Sequence, residues 1–300
     1  MSKQAADFWN ERHRDPEGEA HDNFLSHPLI ESYMSIRAFG SIVSQMETIQ
    51  LEIRRRTRPG DTILSVGCGL AGKERWFAQK LPDRQFVAID VANEIVGLAR
   101  EQNRKEGVDN LSVEVGDFNA LTLDADRFAI VLGVGAIHHV EELESFWKEV
   151  QHGLVPGSGC VIAAEYVGPS RFQWTDDQLV ACDHALRELV PKEHKTHHHR
   201  CTRPDVQTMM KIDPSEAVRS DEIIPTAKDA GFDVYGFCSG GGALLQPVLW
   251  YQISTFDPRN WAHSMVLAQL FAEEDRLMRE GVLKDDFAMF VAEPVGQRTP

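Results

Sequence analysis

No stretch of about eighteen apolar residues, the length a membrane span needs, occurs anywhere in the sequence. The first residues, Met1 to Glu11, are polar and mixed in charge, so they lack the basic start and apolar core of a secretory signal. These two absences predict a soluble, cytoplasmic protein with no membrane span. Cysteine is scarce: Cys68, Cys160, Cys182, Cys201 and Cys238 are odd in number and widely spaced, with no CxxC pair. That excludes a cysteine-based zinc or redox motif and predicts reduced thiols. Positive charge is also short, with 31 Lys and Arg against 46 Asp and Glu and a formal net charge of -15. Such a chain repels a phosphate backbone, so nucleic acid is excluded as a partner. The most basic segment, Arg54-Arg55-Arg56 with Arg58, reads as a solvated helix end, where cations face the helix carbonyls.

What is present is a globular composition, 42% hydrophobic over 300 residues, enough for one large core with an added cap. From Thr62 to Val167 short β-rich runs alternate with helical patterns, which predicts βαβ units and a parallel sheet. The expected strands are Thr62 to Gly67, Gln85 to Asp90, Leu111 to Gly116, Phe128 to Gly133 and Cys160 to Val167. Lys73 to Lys80, Asn93 to Glu106 and Glu141 to Gly153 read as the crossover helices. Glu31 to Arg56 carries apolar residues at helical spacing and reads as a covering helix or pair of helices. After Gly168 the pattern becomes irregular to Ser220, with one helix at Thr175 to Leu189. Alternation then resumes: a helix at Asp221 to Ala230, a strand at Phe232 to Cys238, a helical region at Asn260 to Glu280 and a strand at Asp286 to Glu293. The domain expectation is a helical cover (1–60), a ligand-binding core (61–167), a cap insertion (168–220) and the rest of the core (221–300), with a second helical insertion at about 240–284.

Ligands of such a sheet bind at the carboxyl ends of its strands. There the chain reads Ile63-Leu64-Ser65-Val66-Gly67-Cys68-Gly69-Leu70-Ala71-Gly72, a strand entering a GxGxxG turn that opens a helix. Asp90 ends the second strand, where a carboxylate can accept the ribose hydroxyls of an adenosine. Asp117-Phe118 follows the third. Gly133 to Val140, with the pair His138-His139, follows the fourth, and Pro156-Gly157-Ser158-Gly159 precedes the fifth. The glycine loop alone fits a dinucleotide site equally well.

Taken in order, these segments resemble the class I S-adenosylmethionine-dependent methyltransferases, especially their small-molecule members. The resemblance implies a Rossmann-like, doubly wound α/β sheet of seven strands in the order 3-2-1-4-5-7-6, and S-adenosylmethionine as cofactor. It implies that Gly67, Cys68 and Gly69 contact the methionine part, Asp90 with Val91 the ribose, Asp117 and Phe118 the adenine, and Gly133 the region beside the sulfonium. One departure stands out. The family often has Asp or Glu two positions before the first glycine, and here that residue is Ser65, so a carboxylate that could hold the cofactor ammonium is missing. Arg37, one helical turn from Tyr33, is a candidate for anchoring the cofactor carboxylate.

The implied reaction is methyl transfer to a small-molecule acceptor, with a hydroxyl of a natural product, sugar or glycolipid as the leading expectation. For a hydroxyl a base near neutral pKa helps, and His138 and His139 are placed for it. Glu165 and Tyr166 end strand five; Glu165 is the third catalytic candidate, and Tyr166, Arg171, Gln173 and Trp174 form an acceptor-side group with His198 from the run His194 to His199. That run otherwise reads as a solvated loop, and no metal is expected. Ser239-Gly240-Gly241-Gly242 reads as a flexible turn. Two other readings stay open, a dinucleotide-dependent oxidoreductase and a non-catalytic partner subunit of the same fold, as does assembly into a homodimer.

Overall fold

The computed structural model describes residues 24–195 and 199–296, apart from the side chains of Phe237 and Cys238. Chain entry is through two helices, α1 (Pro28–Phe39) and α2 (Gln45–Arg56). Gly40, at φ 69°, takes the left-handed conformation that ends α1. Ser44 and Glu47 then form a reciprocal capping box that starts α2. The covering segment is therefore a pair of helices.

Seven strands follow: β1 (Thr62–Val66), β2 (Gln85–Asp90), β3 (Leu111–Val115), β4 (Ile130–Val134), β5 (Cys160–Tyr166), β6 (Phe232–Gly241) and β7 (Phe287–Pro294). They form one sheet in the order β3-β2-β1-β4-β5-β7-β6, as the resemblance implied. Strands β1 to β5 pair in parallel, and β7 lies antiparallel between β5 and β6. Both faces are covered, which is why β1, β4 and β5 are apolar almost throughout. On one face α2, α3 (Gly72–Lys80) and α4 (Asn93–Glu106) pack Ile53, Phe77 and Val96 against Ile63, Phe86 and Ile130. On the other, α5 (Leu143–Gly153) and α8 (Ile223–Asp229) pack Phe146, Trp147 and Ile223 against Val131, Val161 and Phe290.

A third apolar cluster lies beyond the β6–β7 end of the sheet and packs against Phe287 of β7. It joins α1 to α6 (Asp176–Leu189), α9 (Leu245–Leu249) and α10 (Trp261–Arg279) through Ile30, Leu186, Leu245 and Leu270. A short helix α7 (Val206–Ile212) completes this cap.

Several expectations are corrected. β4 starts at Ile130, because Phe128 makes only an isolated bridge to Leu154. The Ser239–Gly242 run is no flexible turn. Ser239 and Gly241 pair with Ala288 and Phe287 within the sheet, and the backbone N–H groups of Gly242, Leu244 and Leu245 donate to the buried carboxylate of Glu274. Arg56 is not solvated. Its guanidinium bonds Glu293 at 2.7 Å and fastens α2 to β7. Four cysteines, Cys68, Cys160, Cys182 and Cys201, are buried free thiols.

Candidate active site

The carboxyl ends of β1, β2, β3 and β4 bring together Gly67, Cys68, Gly69, Asp90, Val91, Asp117, Phe118 and Gly133. Gly67 and Gly69 adopt φ of 63° and 53°, a region costly for other residues. A Cβ on Gly67 would lie 2.7 Å from Cβ of Ala136, so only bare backbone fits there. Asp90 binds the loop directly: one carboxylate oxygen accepts the Gly69 N–H at 2.8 Å and the other accepts the Ala92 N–H at 2.9 Å. It thus ties the glycine turn to the start of α4, and its half-exposed position leaves acceptor capacity for a ligand hydroxyl. Asp117 accepts the Asn119 N–H at 2.9 Å and caps a short 3-10 turn, while the Phe118 ring is buried over Gly67. Val91 is half-buried just beyond Asp90, and Cys68 is buried with its N–H bonded to Ile89. This bare-backbone turn between two strand-end carboxylates fits an adenosyl amino acid.

Beside it, Glu165 organises the turn after β4. Its buried carboxylate accepts the N–H groups of Ala136 and Ile137 at 2.9 Å and the Nδ1–H of His138 at 2.7 Å. Burial opposes charge on both partners, but their mutual attraction and the turn's N–H groups outweigh it. His138 is therefore held above its ordinary pKa and Glu165 below its own. With Nδ1 occupied, Nε2 of His138 is the nitrogen left for chemistry. It lies 3.7 Å from Glu216. His139 sits behind it, ring centroids 4.2 Å apart, and Nδ1 of His139 is 3.1 Å from the Ser215 hydroxyl, which donates to Asp213. Burial and the neighbouring His138 lower the pKa of His139.

The loop 213–218 was not foreseen as part of the site. It reaches the histidine turn from the cap, with the Val218 N–H donating to the His138 carbonyl at 3.1 Å. Asp213-Pro214-Ser215-Glu216 carries two carboxylates around a proline turn, the only local signal available. One atom each from His138, His139 and Glu216 lie within 4.8 Å of one another, a spacing a cation could use.

The described members of the acceptor-side group make contacts within the cap. Arg171 donates to the carbonyls of Glu216 and Pro214 at 2.9 and 2.5 Å, and Gln173 donates to those of Arg171 and Pro204. Both brace the loop and the cap backbone. Tyr166 and Trp174 are buried with Phe172 and Trp250 in an aromatic cluster, and the Tyr166 hydroxyl donates to Pro169. Arg37 pairs with Asp275 and donates to Ser239 at 3.0 Å. That places it against β6, four strand positions from β1, about 19 Å at the usual strand spacing. His198, with His197, lies outside the described residues. His194 is buried, stacked on Phe256 with centroids 4.3 Å apart, and no part of the site.

Comparison with known proteins bears on the domain and the fold. Residues 63–157 match the methyltransferase domain family. The chain is 32% identical to 24-methylenesterol C-methyltransferase 2 of Arabidopsis thaliana over 126 residues, 42% of this chain and 34% of that protein. It is 27% identical to the protein of the same name from Oryza sativa subsp. japonica over 218 residues, 72% of this chain and 53% of that protein. The chain thus spans between a third and about half of these relatives' length. Geranyl diphosphate C-methyltransferase from Streptomyces coelicolor A3(2), solved with Mg2+, geranyl diphosphate and S-adenosyl-L-homocysteine, superposes with a TM-score of 0.53 at 11% identity, covering 83% of this chain and 78% of that one. The fold and the matched domain are those of the class I S-adenosylmethionine-dependent methyltransferases. Residues 63–157 thus resemble a methyltransferase domain, and the chain shares the fold of these enzymes.

Proposed function

We propose that the protein transfers the methyl group of S-adenosylmethionine to a hydroxyl of a small molecule. The single observation that carries this is the Glu165-backed His138 ring next to the glycine turn. When bound, the cofactor supplies an electrophilic methyl group on a sulfonium, and the protein's task is alignment and proton handling. Gly67 to Gly69 would cradle the methionine part, Asp90 with Val91 the ribose, and Asp117 with Phe118 the adenine. Nε2 of neutral His138 would take the proton of an acceptor hydroxyl held in line with that methyl group. Glu165 then stabilises the imidazolium formed, as the carboxylate does behind the histidine of a catalytic triad.

Glu165, Asp213 and Glu216 around the histidines favour a second reading. Methyl transfer to an amine or an alkene leaves positive charge on the acceptor, which a ring of carboxylates stabilises. Two relatives bear the name sterol C-methyltransferase, which fits an alkene acceptor.

The deciding experiment titrates the protein with S-adenosylhomocysteine and NAD, then supplies isotope-labelled S-adenosylmethionine with hydroxyl, amine and alkene acceptors. Label on the hydroxyl class alone supports the first reading, and label on the alkene or amine class replaces it with the second. Binding of NAD without S-adenosylhomocysteine overturns both. Binding without transfer to any acceptor returns the non-catalytic subunit.

A further inference from the structure

Ser65 occupies the β1 position where the resemblance led us to expect a carboxylate, and the structure contains a carboxylate beside it that the sequence reading passed over. Glu74, in the first turn of α3, is buried, and its Oε1 accepts the Ser65 hydroxyl at 2.7 Å. Its Oε2 is buried with no hydrogen-bond partner among the described residues. No basic side chain is paired with it there: the neighbouring Lys73 ammonium donates to the Val134 carbonyl at 2.6 Å, and Arg75 turns to Leu70, Asn103 and Glu106. The carboxyl group sits in the wedge between the end of β1 and the start of α3, beneath the Gly67–Ala71 loop and close enough to Cys68 to raise that thiol's pKa.

A buried carboxylate with an idle oxygen is costly unless a cation or donor meets it. Burial pushes the Glu74 carboxyl above its ordinary range, and the nearby Lys73 charge and the Ser65 hydroxyl offset this only in part. The loop above it is the bare-backbone cradle assigned to the methionine part of the cofactor, whose one cation besides the sulfonium is its α-ammonium. We propose that Glu74 binds this ammonium, so that the carboxylate absent from strand position 65 is delivered from helix α3, with Ser65 as the short partner that leaves room for it. This rests on the cofactor reading above. Exchanging Asp on the strand for Ser on the strand and Glu on the helix keeps the charge in one place while changing the element that carries it.

The test compares binding of S-adenosylhomocysteine with that of its analogue lacking the α-amino group, by calorimetry on the full chain. Wild type is expected to prefer the amine by about tenfold to a hundredfold, the value of one charge-assisted hydrogen bond. The isosteric variant E74Q should bring the preference close to one by weakening only the amine-bearing ligand. The double variant S65D/E74A, which returns the carboxylate to the strand, should restore it, and thermal melts verify that each variant folds. An unchanged preference in E74Q overturns the role of Glu74 and leaves the cofactor reading standing. So does a wild type that binds both ligands equally. A wild type that binds neither ligand overturns both.

Discussion

Gln178 donates from its side-chain nitrogen to Asp286 at 3.0 Å, joining the cap helix α6 to the residue that precedes β7. Asp286 is 3% exposed, and burial lifts its carboxyl to about 7. Because the folded pKa lies above the unfolded one, the folded state holds the proton more tightly. Stability is therefore fully present below about pH 4 and is lost as pH rises towards and through 7. Replacing Asp286 by Asn, a neutral isostere, should remove this loss, on the order of 2–4 kcal/mol at alkaline pH. Urea midpoints of wild type and D286N should diverge from pH 5 to about 7 and keep a constant gap from there to pH 9, and a gap that does not change between pH 5 and 7 would refute the assignment.

The His138–Glu165 pair fixes the direction of the activity profile. With His138 held above its ordinary value of 6.5, the neutral ring that accepts a proton accumulates only at higher pH. Turnover of a hydroxyl acceptor should climb with pH beyond that value. In E165Q the rising limb should move to lower pH while the plateau falls, and H138A should lose about a hundredfold in kcat/KM with the limb abolished. A pH profile indifferent to H138A would remove this residue as the base.

At Gly67, left-handed backbone and a blocked Cβ coincide, whereas Gly135 has φ 68° with open space around its Cβ position. Gly135→Ala should cost only the strain, about 1–2 kcal/mol. Gly67→Ala adds a 2.7 Å clash with Ala136, and should both destabilise more and abolish S-adenosylhomocysteine binding. Equal behaviour of the two variants in chemical denaturation and calorimetry would contradict the close-packed turn.

Arg171 acts through the loop it braces. Arg171→Met should lower kcat by about tenfold with little change in acceptor KM, because what is lost is the placement of Asp213, Ser215 and Glu216 against the histidines. A rise in KM alone would instead mark Arg171 as an acceptor contact.

The sheet was legible because its signals are local. Alternating apolar runs, glycine turns and strand-end carboxylates each lie within a few residues, and the strand order followed from the family resemblance these segments carry. The pairing of Arg37 was not legible because its partner, Asp275, is 238 residues away on α10, and helical spacing shows only which side chains share a face. The run Ser239–Gly242 looked like a loop because glycine is rare inside strands. Bare glycine instead fits here, since a Cβ on Gly240 would lie 2.7 Å from the Phe287 carbonyl oxygen, and Glu274 collects the N–H groups that follow. Asp213 and Glu216 were invisible for a related reason: nothing near them in the chain marks that their loop folds back onto the turn after β4.

The position of β7 between β5 and β6 has a consequence for how the molecule is made. β5 and β6 are both complete by Gly241, yet neither pairs with the other, so on the ribosome each presents an unpaired edge until the chain has been synthesised past Pro294. The seat for the methyl donor can assemble early, from β1 to β4. The wall behind Glu165 closes only once β7 has been made and has inserted between β5 and β6.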